Sequence, residues 1–394
     1  MRMPNFKTIL AAGLVVSLLA GCGTRVGSWF SSRGPSPGDP AELVDFAAEA
    51  RASQAWSRST GEGERRLGLR LHPTLAEGRL YLTDPSGRVS AVDPASGQAV
   101  WSEGTGLRIS TAPGVGAGRL VVGTLDGEVV ALDADSGAER WRARVGGEVL
   151  ARPLVSQGLA VVRANNGRVS AFDLGSGQLR WEFERPVPSL SLRGHAAPVT
   201  AQGLVIAGFE DGLVAALRPQ DGQRVWETQV AEPEGRSELE RMADIRGDVQ
   251  AGLNEVFVAS YGGQVMALSI QGGQPLWARD LRAPGGLSLD SRNLYLADDS
   301  SVVWALDRGS SSAQWRQEAL QNRQLTTPVM HGGLLLVGDL EGFLHWLSPD
   351  DGRIVARTRH GRQPIRATPQ VSADGLAYVV DVRGAMTAYR IARD

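Results

Sequence analysis

Residues 91–101 read Ala91-Val92-Asp93-Pro94-Ala95-Ser96-Gly97-Gln98-Ala99-Val100-Trp101. A small residue is followed by an Asp-opened turn containing glycine, and a tryptophan stands ten residues after the alanine. The same arrangement returns at Ala131-Leu132-Asp133, Gly137 and Trp141, and then leads to Trp181, Trp226, Trp277 and Trp315. A residue recurring once per unit at fixed phase packs between units. The Asp residues that close several of these hairpins (Asp93, Asp133, Asp173, Asp307) read as turn formers rather than paired catalytic acids.

Upstream of each such segment lies a second strand pair. The unit is Gly-x-apolar-apolar-apolar, a loose tetrapeptide, Gly, then alternating residues ending in Ala-apolar-Asp. It begins at Gly78, Gly118, Gly158, Gly203, Asn254, Arg292, Gly333 and Gly375. Short β-prone runs joined by a Gly-bearing turn make a hairpin. The turn glycine recurs at Gly87, Gly127, Gly167, Gly212, Gly263, Gly342 and Gly384, with Ser301 in the remaining copy. Such turns need a positive φ, which glycine adopts without steric cost.

The seventh copy exchanges two sizes: Trp346 stands at the alanine position and Ala356 at the tryptophan position. The eighth runs out of chain at Asp394 before reaching its tryptophan, while Trp56 lies 45 residues before Trp101 with no hairpin unit ahead of it. An N-terminal strand completing the last unit accounts for both facts and closes the array, which removes exposed sheet edges. The expected fold is all-β, an eight-bladed β-propeller of four-stranded blades whose ring is closed by the N-terminal strand.

The first residues do not belong to that fold. Arg2 and Lys7 precede an uncharged run from Thr8 to Ala20, and Leu19-Ala20-Gly21-Cys22 holds the only cysteine of the chain. This is the layout of a secretory signal, too short for a membrane span. The tetrapeptide resembles the bacterial lipobox, whose cysteine becomes acylated. Residues 1–21 therefore read as a signal peptide, 22–52 as a lipidated flexible tether and 53–394 as the propeller. A short helix is expected over 41–52. With no Asp after Cys22, the pattern resembles outer-membrane sorting. One thiol forms no internal disulfide. The 41 basic and 43 acidic side chains give a net charge of -2, and nothing favours nucleic acid.

Loop lengths carry the functional signal. From the position five before each unit (Pro73, Pro113, Pro153, Pro198, Val249, Leu287, Pro328) to the tryptophan position is always 28 residues. From there to the next unit the gaps are 12, 12, 17, 23, 10, 13 and 13. All variation thus falls in the connection from the last strand of one blade to the first of the next. Insertions on one face of a repeat array often mark a binding face. The two long connections are consecutive and hold Leu190-Ser191-Leu192-Arg193 and Arg241-Met242-Ala243-Asp244. Ser237 with Glu240 fits a capping box for a short helix presenting Leu239 and Met242. Apolar Leu190, Leu192 and Met242 beside Arg193, Arg241 and Asp244 have the composition of a protein interface. The alternative is that the leucines fold onto their own blade.

The Ala-x-Asp-x-x-x-Gly-x-x-x-Trp segment resembles the blade motif of quinoprotein (PQQ-type) propellers. With a lipobox and under 400 residues, the chain resembles the BamB family, lipoprotein subunits of the outer-membrane β-barrel assembly machinery. The resemblance implies a non-catalytic scaffold, lipid-anchored through Cys22 at the periplasmic face of the outer membrane. Its implied partners are the POTRA domains of BamA within the Bam complex, and nascent outer-membrane proteins. It implies no cofactor. Leu190-Ser191-Leu192-Arg193 matches the family's Leu-x-Leu-Arg loop, and Arg241 and Asp244 match its second contact loop. Arg246 stands where an Asp is expected, so that contact is not carried over. The competing readings are a small quinoprotein dehydrogenase and a cell-wall glycan binder. The five histidines (His72, His195, His331, His345, His360) show no metal-ligand spacing.

Overall fold

The computed structural model describes residues 38–393 except 66, 195, 233–235, 238–240 and 246. Cys22 and the expected signal peptide lie outside the described residues. Among those described, the chain forms strands and no helix, arranged as eight four-stranded sheets. The inner strands of blades 1 to 6 touch in succession, as do those of blades 7 and 8, and the first strand of blade 8 touches that of blade 1.

Blade 2 shows why these residues make such a sheet. Its strands are Gly114–Gly116, Arg119–Gly123, Glu128–Asp133 and Glu139–Arg144, hydrogen-bonded in that order. The two middle strands read as near-continuous apolar runs because both faces of the sheet are covered by neighbouring blades. Leu120, Val121, Val122, Val129 and Val130 have no exposed surface. The outer strand keeps only Trp141 buried, amid charged neighbours. Apolar clusters accordingly bridge blades: Val161, Val169 and Trp181 of blade 3 pack with Val205, Phe209 and Leu213 of blade 4.

The spacing of ten between alanine and tryptophan is a cross-strand pair. Ala91 faces Trp101, Ala131 faces Trp141, Ala171 faces Trp181, and the relation repeats through Ala305 and Trp315. Each indole N–H then reaches the next blade. Trp101, Trp141, Trp181, Trp226, Trp277 and Trp315 donate to the main-chain carbonyls of Ala134, Leu174, Pro219, Ile270, Arg308 and Pro349 at 2.7–3.0 Å. The turn glycine beneath suits the site on two counts, although Ser311 takes the same left-handed conformation at its place in blade 6. Gly137 has φ +75°, and a Cβ there would lie 2.6 Å from a ring carbon of Trp101. In the hairpin turns, Ser301 adopts the same left-handed conformation as its glycine counterparts, φ +64° against +97° for Gly87.

Blade 7 carries the size exchange as expected: Trp346 faces Ala356 in register. Its indole donates instead to Nδ1 of His331 at 3.0 Å, and Nε2 of His331 bonds the carbonyl of Gly375 at 3.1 Å.

Ring closure also follows expectation. Ala50–Ser59 pairs antiparallel with Ala385–Arg393, and Trp56 faces Ala388. Trp56 donates to the main-chain carbonyl of Pro94 in blade 1 at 3.0 Å, the same contact the tryptophans of blades 1 to 6 make. The boundary proposed at residue 53 and the helix over 41–52 need correction. The closing strand starts at Ala50, and the segment before it runs extended along blades 6 and 7. Ala41 N–H donates to Gln321 O at 2.9 Å, Leu43 and Phe46 pack against the cluster containing Leu320 and Leu335, and Arg357 lies 5.0 Å from the Phe46 ring. Covering apolar surface and pairing the sheet edge outweigh a helix preference of a few tenths of a kcal/mol per residue, on the order of the propensity scale.

Candidate docking surface

The two long connections span residues 185–198, from blade 3 to blade 4, and 230–249, from blade 4 to blade 5. They lie side by side. The N–H of Leu192 donates to Asp244 Oδ1 at 2.8 Å, and the N–H of Ala197 donates to Asp248 Oδ1 at 2.9 Å. The second connection is also tied to its flanking blades, Ile245 N–H to Phe209 O at 3.0 Å and Tyr261 N–H to Asp244 O at 2.8 Å. Both therefore sit on one rim with a fixed mutual register.

The surface they present is narrower than the sequence reading. Leu190 is 39% exposed, Leu192 is half-buried, and Arg193 and Arg241 are exposed. Met242 is buried at 7% and Asp244 at 1%. The expectation that Met242 joins the leucines at the surface is corrected: its segment turns inward, and Ala243 packs over Gly212 of blade 4, where no side chain would fit. Asp244 is a brace between loops rather than a rim charge. Leu239, Glu240 and Arg246 lie outside the described residues; nearby, Arg241 N–H donates to Ser237 O at 3.2 Å.

Arg193 is held by a residue that loop length gave no reason to select. Glu148, in a connection of ordinary length, accepts from Arg193 Nε and Nη2 at 3.2 and 3.0 Å and from Asn165 Nδ2 at 2.9 Å. Beneath the loops lies a buried ion pair, Arg163 with Glu210, both almost without exposure. Burial pushes the Asp244 carboxyl up to about 6; the nearby Glu210 adds to the shift, while the Leu192 N–H and Arg163 oppose it. Its Oδ2 is buried without a hydrogen-bond partner. A carboxylate in this state holds the loop by one strong acceptor and pays in desolvation at the other oxygen.

His195 lies outside the described residues, and His345 belongs to a buried polar network. His345 Nε2 contacts Asp339 Oδ2 at 3.0 Å, and Arg323 donates to the same oxygen at 2.8 Å. Among the described residues, no three His, Cys, Asp or Glu side chains converge as a metal-ligand set. Asp93, Asp133, Asp173 and Asp307 each accept from a serine three residues on, as turn formers do.

Comparison with known proteins agrees with this fold. The family model described as "Outer membrane protein assembly factor BamB" matches residues 42–111 and 85–317. Relatives of that name are 45% identical over 388 residues in Alkalilimnicola ehrlichii, covering 98% of each chain, and 32% identical over 397 residues in Escherichia coli, covering 98% of this chain and 99% of the relative. The crystal structure of BamB from Moraxella catarrhalis superposes with a TM-score of 0.79 at 25% identity, over 86% of this chain and all of that one. A quinohemoprotein alcohol dehydrogenase from Comamonas testosteroni gives 0.70 at 14% identity, over 86% of this chain and 76% of that one, a likeness of fold alone. Eight blades closed by Trp56, with relatives of one name at 32–45% identity across nearly the whole length, lead to one conclusion: the chain belongs to the BamB family of outer membrane protein assembly factors.

Proposed function

We propose that this assembly factor works as a scaffold without chemistry of its own, docking the POTRA domains of BamA through the paired loops on the rim of blades 3–5. The observation that carries the reading is the Leu192–Asp244 hydrogen bond. Together with the Ala197–Asp248 bond it locks the two loops into one surface, with Leu190 and Arg193 exposed and Leu192 half-buried. An apolar centre with an arginine at its edge is the usual make-up of an interface anchor. In this reading Arg193 is already oriented by Glu148 before the partner arrives, so less side-chain freedom is lost on docking. Residues 1–21 are the signal, acylated Cys22 is the anchor at the periplasmic face of the outer membrane, and the chain from there to about residue 39 is the tether. Holding BamA would in turn assist insertion of outer-membrane proteins by the Bam complex.

The test is co-purification with BamA. Leu192→Asp and Arg193→Glu should each abolish it while the thermal transition stays at the wild-type temperature. A loss of about 2 kcal/mol, typical of an anchor residue, corresponds to roughly thirtyfold in affinity. Wild-type recovery of BamA with both variants would refute the two-loop site. Repeating the pull-down without Cys22 separates anchor from partner, and partner binding should survive.

A further inference from the structure

At the ring axis, on the rim that carries the docking loops, lies a cavity of about 350 Å³. It is walled by the starts of inner strands and by the ends of the interblade connections, including Arg70, His72, Arg152, Asp248, Gln250 and Ser288. Two of these connections meet there backbone to backbone: a Cβ on Gly247 would lie 2.4 Å from Gly286 Cα.

Arg152 is the unusual member. Most arginines near the interblade contacts are in ion pairs, such as Arg163 with Glu210, Arg185 with Asp211 and Arg308 with Glu255. Among the described residues, Arg152 has neither an ion pair nor a hydrogen bond, and its Nε is shut off from water. The single carboxylate lining the cavity, Asp248, forms no ion pair with it, and one oxygen of Asp248 is taken by the N–H of Ala197. Burial, and then the Arg152 charge, hold the imidazole of His72 below its usual range, so it adds no second positive charge at neutral pH. Ser288 Oγ, also among the lining residues, is buried without a partner. A guanidinium that faces a cavity with its Nε buried and no carboxylate beside it is a ready partner for a counter-ion.

We propose that the axial cavity binds a small anion of the carboxylate or phosphate class, with the Arg152 guanidinium as its anchor. The planar fork of Arg152 matches two oxygens of either group. Ser288 and Gln250 supply neutral hydrogen-bonding groups around it, and Arg70 adds a second positive charge to the lining. The volume lies near the lower end for ligand pockets, which selects a small molecule over a polypeptide segment. This site is independent of the docking loops' partner.

Titration calorimetry on the full-length protein tests it, with inorganic phosphate in one arm and citrate in the other. Saturable one-to-one binding of at least one of them is expected. Arg152→Gln should weaken it by about tenfold or more, Arg152→Lys by less, and Arg193→Gln not at all. Absence of saturable binding of either anion to the wild type up to about 10 mM would overturn the proposal. So would wild-type affinity in Arg152→Gln. If that variant does not fold, the Lys variant and the wild-type titration still decide. Preference for phosphate over citrate, or the reverse, assigns the class.

Discussion

The main-chain N–H of Leu192 and the carboxylate of Asp244 meet at 2.8 Å, 52 residues apart in sequence and on different interblade connections. This bond makes one surface of two loops. It also explains why an acidic residue is tolerated with 1% exposure. The carboxylate replaces a main-chain acceptor that neither loop could supply from regular structure, at the cost of one unsatisfied oxygen.

Asp244→Ala should leave the Leu192 N–H without its acceptor and cost about 1–3 kcal/mol. BamA binding should fall with it, because the leucine loop loses its register. Asp244→Asn keeps an acceptor at Oδ1 and should bind nearly as wild type. Chemical denaturation together with pull-down of the two variants checks the pair.

The same carboxyl predicts a pH dependence. Its folded value, about 6, lies above the ordinary carboxylate range. A raised acid binds its proton more readily in the folded state, so its contribution to stability is fully present below about pH 4 and lost as pH rises through 6. Asp244→Asn should remove that component. Urea midpoints of wild type and variant, compared across this window, should converge or diverge accordingly; parallel curves would contradict the assignment.

His331→Leu should destabilise blade 7 by about 1–3 kcal/mol, because the fully buried indole N–H of Trp346 would lose its acceptor. The inverted tryptophan of this blade makes no bond to a neighbouring blade's carbonyl, so no such bond compensates. Thermal unfolding reads the loss directly, and an unchanged midpoint would mean the imidazole is dispensable there.

Three truncations separate tether from fold. A chain beginning at Pro40 should unfold at the wild-type temperature. One beginning at Ala50 uncovers the half-buried Leu43 and Phe46 contacts and should lose about 1–3 kcal/mol. One beginning at Thr60 removes the closing strand and exposes the edge of Ala385–Arg393; it should aggregate or unfold without cooperativity. Light scattering and calorimetry distinguish the three.

Ser301→Gly should raise stability by up to about 1 kcal/mol, since serine is held there at φ +64°, where its Cβ is strained. A lower urea midpoint would show that the loss of glycine's chain entropy outweighs the strain.

Much of this molecule was legible without coordinates because its determinants are short-range and repeated. The Ala91–Trp101 spacing is a cross-strand pair, the glycine at 97 answers to φ and to an indole face, and Trp56 could only belong to the blade lacking its tryptophan. The length of each connection likewise marked the rim that carries the loops. What each loop side chain does depended on segments distant in sequence. Met242 turned inward and Arg193 found Glu148, 45 residues away. Residues 41–46 lay along blades 6 and 7 instead of coiling, and Arg152 was left unpaired at the axis. Local periodicity specifies strands and turns because backbone sterics and alternating burial act over a few residues. Burial and pairing in loops are decided by whichever surfaces the closed ring brings together, and only the tertiary structure carries that.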